Sequence, residues 1–65
     1  MDMKLLNKIP KKHHKYIVDI YKEYGRYSVV LKWEDGFTRS IGEWNFTELK
    51  YMIKELVEVD RNTEF

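Results

Sequence analysis

The sequence predicts an α+β fold, a three-stranded antiparallel meander over about 15–23, 26–33 and 37–43 with one C-terminal helix, about 46–59, across one face. Three observations lead there. Two tight-turn signals, Tyr24-Gly25 and Glu34-Asp35-Gly36, interrupt stretches rich in β-branched and aromatic residues. The stretches on either side alternate apolar and polar residues with period two. Beyond residue 45 the apolar period lengthens to that of a helix.

The first strand is the ambiguous one. Lys15 to Tyr24 is amphipathic as a helix as well as a strand, and the alternative is an α-β-β-α arrangement with residues 11–24 helical. Such a helix would open on Lys11-Lys12-His13-His14-Lys15 and close near Glu23, both against the macrodipole. As a strand it pairs Glu23 with Arg26, Ile20 with Val29, Val18 with Leu31 and Tyr16 with Trp33, which gathers the apolar residues on one face and adds an opposite-charge pair. The cost is Tyr24, which needs a positive φ in a type I′ turn.

The second strand places Tyr27, Val29, Leu31 and Trp33 on one side. The turn after it is chosen by register. A two-residue loop would put Phe37 and Ile41 on the polar face. A three-residue loop with Gly36 left-handed pairs Trp33 with Phe37 and Val29 with Ile41, and keeps one apolar face. In the helix, Phe46, Leu49, Met52, Ile53, Leu56 and Val57 form one stripe. Asn45 is its N-cap, Glu48 completes a capping box, and Trp44 is placed to staple onto Leu49. The expected core is Tyr16, Val18, Ile20, Tyr27, Val29, Leu31, Trp33, Phe37, Ile41, Leu49, Met52, Ile53, Leu56 and Val57.

Sixty-five residues without a cysteine make one small domain with no covalent staple. The domain is expected over 14–59, preceded by a basic, partly ordered arm at 1–13 and followed by a polar tail at 60–65. The net charge of +1 conceals an asymmetry: residues 1–15 hold five Lys against one Asp, a net of +4, while residues 16–65 hold seven Lys or Arg against ten Asp or Glu, a net of −3. No apolar run reaches the roughly 18 residues of a membrane span, and the start has too short an apolar centre for a secretion signal, so a cytoplasmic protein is expected.

Catalytic and metal chemistry find little support. His13 and His14 are adjacent, diverge in either a helix or a strand, and have no third His or any Cys to complete a metal site. Ser28 and Ser40 have no positioned base. Gly25, Gly36 and Gly42 belong to turns or a strand end, not to a phosphate-cradling loop. The chain is therefore read as non-enzymatic, with no cofactor and no small-molecule substrate evident; a more distant option is an enzyme subunit completed by a partner chain.

Binding is the expectation that the surface supports. The sheet face away from the helix should be open, with Ile17, Tyr21 and Val30 as an apolar centre rimmed by charge, and Tyr51 on the outer helix face as a second anchor. Protein contact or self-association through that face, or pairing along an edge strand, is the first expectation, with the basic arm aiding encounter with an acidic partner. The alternative is a nucleic-acid-binding regulator in which Lys4, Lys8, Lys11, Lys12 and Lys15 hold phosphates and Arg26 and Lys32 join Tyr21 on the sheet face. Asp19, Glu23 and Glu34 on that face oppose it.

Overall fold

A computed structural model of the chain describes residues 1–60. Three strands, β1 (Ile17–Glu23), β2 (Arg26–Lys32) and β3 (Thr38–Glu43), form one antiparallel sheet in the order β1-β2-β3. Helix α2 (Phe46–Lys54) packs on one face and continues as wider, π-helical turns over Glu55–Asp60. The predicted fold class is the observed one. Of the tail expected at 60–65, residues 61–65 lie outside the described residues.

Both turns form as their residues require. Tyr24 has φ +53° and Gly25 φ +77°, a type I′ turn that brings Glu23 opposite Arg26 and Ile20 opposite Val29. The three-residue loop closes with Trp33 N–H donating to the Phe37 carbonyl at 2.9 Å and Gly36 N–H donating to the Trp33 carbonyl at 2.9 Å. Gly36 has φ +90°, a conformation that a side chain would strain, and the Asp35 carboxylate accepts from Phe37 N–H at 3.0 Å. Val29 accordingly faces Ile41.

The first strand departs from simple alternation. A bulge between Ile17 and Asp19 sets Ile17, not Val18, opposite Leu31. Ile17 is buried and Val18 is 52% exposed, the reverse of the expected placement. The exchange buries the larger side chain, worth about 0.8 kcal/mol for the extra methylene. Tyr16 no longer extends the ladder opposite Trp33. It ends a 3₁₀ turn over Lys11–Tyr16, the one part of the expected alternative helix that forms, and its ring lies 6.2 Å from that of Trp33.

Residues 1–13, expected as a partly ordered arm, are packed against the rest of the domain. Helix α1 (Met3–Leu6) is capped by Asp2, whose carboxylate accepts from Lys4 N–H at 3.0 Å and Leu5 N–H at 3.2 Å. Leu5 and Ile9 join Ile17, Ile20, Val29, Leu31, Trp33, Leu49, Ile53, Leu56 and Val57 in one buried cluster. A chain this short has too little apolar surface in the sheet and one helix alone, and the leading segment supplies the missing cover.

His13 is buried with them at 3% exposed. Its Nε2–H donates to the Glu58 carboxylate, and Lys12 Nζ lies 3.4 Å from the same carboxylate. The contact holds Glu58 below the usual carboxylate range, the His13 hydrogen bond being the main cause and Lys12 a lesser one. The leading segment is thereby tied to the end of the C-terminal helical stretch. Asn45 caps α2 as expected, accepting from Thr47 N–H at 2.8 Å and Glu48 N–H at 3.3 Å.

Candidate protein-binding surface

Pleating assigns alternate residues to opposite faces of the sheet. Ile20, Val29 and Leu31 point to the core and are fully buried. Tyr21, Arg26 and Val30 point the other way, where no described element covers them. Tyr21 is 37% exposed and Val30 half-buried. The bulge adds Val18 to the exposed set and removes Ile17, so the expected Ile17–Tyr21–Val30 centre is in fact Val18, Tyr21 and Val30.

A tryptophan completes this face. Continuing the β3 register past the Tyr27–Glu43 pair sets Trp44 opposite Arg26, and the Arg26 guanidinium lies 5.9 Å from the Trp44 ring centre. Trp44 is 71% exposed and is not stapled onto Leu49 as expected. Arg26 reaches the ring side of the strand by crossing Gly42, where a Cβ would stand 2.7 Å from its Nε, and its Nη2 donates to the Gly42 carbonyl at 3.3 Å. Gly42 is the residue that makes this crossing possible. Trp44 was legible as a surface residue from the same alternation that places Ser40 and Gly42, but it also occupies the staple position before a helix, and only one role can be filled.

The remaining candidates are dispersed. Tyr51 is 58% exposed, but it stands on α2 with the sheet between it and the Tyr21 face. It lines a separate groove of about 260 Å³ with Pro10, His13, Thr47, Lys50 and Lys54, and the neighbouring Glu55 carboxylate raises its phenol above the ordinary value. The lysines meet different partners, although Lys12 and Lys15 line one groove with His13 and Glu58. Lys4 is in α1, Lys8 sits 5.8 Å over the Phe46 ring, and Lys12 is held by Glu58. Lys11 lies at the start of the 3₁₀ turn. Lys15, 5.2 Å over the Tyr16 ring, and Lys32 line a 210 Å³ cavity with Tyr16, Trp33 and Glu34 at one end of the sheet.

Among the described residues no group of three or more His, Cys, Asp or Glu is arranged to hold a metal ion, and no helix is long and apolar enough to cross a membrane. No family model matches the sequence, and comparisons with curated proteins and with solved structures find no significant match.

Proposed function

We propose that this protein is a non-enzymatic binding module that acts in the cytoplasm by docking a protein partner on its open sheet face. The observation that carries the reading is the grouping of Tyr21, Arg26 and Trp44 with Val18 and Val30 on one uncovered face. Tyr, Trp and Arg are the side chains that dominate binding energy at protein interfaces, because they bury large areas with few rotamers to freeze. Here the Arg is already braced against the Trp, which lowers the ordering cost of docking. The neighbouring Asp19 and Lys32 supply a polar rim.

The test compares retention of cellular proteins by the wild type and by the Tyr21→Ala, Trp44→Ala double variant, with circular dichroism confirming the fold of each. The proposal expects a partner captured by the wild type and lost by the variant. Equal retention by both would refute it.

A second reading, nucleic-acid binding, draws on the cavity where Lys15 and Lys32 flank Tyr16 and Trp33, since cations beside aromatic rings on which bases can stack suit a single strand. Glu34 in the same cavity, and the engagement of Lys8 with Phe46 and of Lys12 with Glu58, count against it. Titration of labelled DNA and RNA at low salt tests it, and absence of binding there ends it.

A further inference from the structure

The two edges of the sheet are treated differently. On the β1 edge, Asp2 N–H donates to the Ile20 carbonyl at 2.9 Å, and the N-terminal amine lies 3.5 Å from the Asp19 carboxylate. The leading segment thus shields β1 from another strand. Among the described residues no strand lies outside β3. Because Trp33 and Phe37 form a hydrogen-bonded pair, the backbone groups of Arg39, Ile41 and Glu43 face β2 and those of Thr38, Ser40 and Gly42 face outward. The edge carries no Pro and no Lys, two of the usual devices against strand addition.

We infer that the β3 edge pairs with the β3 edge of a second copy of this chain, antiparallel about a two-fold axis at Ile41, to give a continuous six-stranded sheet. The occupant follows from the charge pattern. About that axis Ser40 of one copy exchanges backbone hydrogen bonds with Gly42 of the other, and Ile41 meets its own equivalent in a non-hydrogen-bonded pair, where side chains approach most closely. Arg39 then stands directly opposite Glu43 of the other copy, twice over by symmetry. Charges on the core-facing side of an edge strand ordinarily repel an incoming strand. Here their opposite signs, placed two residues either side of Ile41, make the strand complementary to itself. Shifting the axis to Ser40 would instead set Arg39 against Ile41 and lose both pairs. The Gly42 carbonyl, already accepting from Arg26, keeps a second lone pair for the incoming Ser40 N–H. In the same register Trp44 lies across from Thr38, whose small side chain leaves it room.

This inference concerns the sheet edge and does not depend on the open-face docking proposed above. Sedimentation velocity of the full chain tests it, taken to about 1 mM because an edge contact falls below the roughly 1,200 Å² of standard interfaces. The wild type is expected to move from monomer to dimer mass with concentration. Glu43→Arg and Arg39→Glu, each setting like charges face to face, are expected to abolish the dimer, and the Arg39→Glu, Glu43→Arg double variant to restore it. Ser40→Pro, which removes an outward N–H and no internal ladder bond, is expected to remain monomeric and replaces any charge variant that fails to fold. Tyr21→Ala should leave the dimer unchanged, which separates the edge from the open face. A wild type that stays monomeric at the highest concentration, a dimer indifferent to Ser40→Pro, or a folded double charge variant that stays monomeric would overturn the inference.

Discussion

Ile17→Ala and Val18→Ala, a pair of neighbouring substitutions, isolate the bulge in β1. Ile17 is 9% exposed and faces Leu31 inside the core cluster, whereas Val18 is 52% exposed and lies outside the ladder. Truncating a buried Ile to Ala costs about 2–5 kcal/mol through lost transfer energy and the cavity left behind. Truncating the exposed Val costs about 0.5–1 kcal/mol, mostly strand propensity. A domain of this length has a total stability of about 3–10 kcal/mol, so Ile17→Ala removes a large part of it. With a urea dependence near 1 kcal/mol per molar for so small a chain, its midpoint should fall by about 2 M or more, against less than about 1 M for Val18→Ala. Urea unfolding followed by Trp fluorescence measures both. Equal costs, or the larger cost at Val18, would mean that the strand alternates without interruption, and the surface around Tyr21 and Val30 would have to be redrawn with Ile17 in it.

Three other outcomes follow from the packing. Ile9→Ala should destabilise by about 2–5 kcal/mol in the same assay, since Ile9 is 3% exposed within the core cluster; a cost below 1 kcal/mol would mean that the leading segment is an appendage. Glu58 has its folded-state pKa lowered, so its contact with His13 and Lys12 contributes stability above the ordinary carboxylate pKa and loses it as pH falls through the lowered value. Glu58→Gln should therefore flatten the acid side of the stability profile, and an unchanged slope below about pH 4.5 would contradict the link. Tyr24→Asn should raise stability by about 1 kcal/mol, because Tyr24 is 92% exposed at φ +53° and Asn tolerates that conformation at a lower cost. Thermal unfolding reads this as a rise of about 4–8 °C.

The sheet was readable because two independent signals agreed at each hairpin. At Glu34-Asp35-Gly36 the turn chemistry allowed several loops, and the requirement that Val29 and Ile41 share a face left one. At Tyr24-Gly25 the charge pair Glu23–Arg26 and the pairing of Ile20 with Val29 outweighed an aromatic at positive φ. Alternation fails where one residue is inserted, because period-two reasoning has no way to register it; that is how Ile17 and Val18 exchanged faces. The leading segment was missed for a different reason. Leu5 and Ile9 reach the core from a four-residue helix and the bend after it, and His13 from a separate 3₁₀ turn, so no single period joins them. The candidate site was half legible. Tyr21, Arg26 and Val30 were placed on the open face from the strand register alone. Trp44 was not, because its position before Asn45 satisfied a helix-entry pattern equally well, and the choice was made by Arg26 crossing a glycine sixteen residues away in sequence.

The proposed binding surface depends most directly on which side chains the sheet leaves to solvent. Nuclear magnetic resonance with a soluble paramagnetic probe, at a concentration low enough to keep the chain monomeric, measures that residue by residue. The methyl groups of Val18 and the indole of Trp44 should be strongly broadened, those of Val30 partly, and those of Ile9, Ile17, Ile20 and Leu31 protected. Protection of Val18 and Trp44 together with broadening of Ile17 would contradict the account.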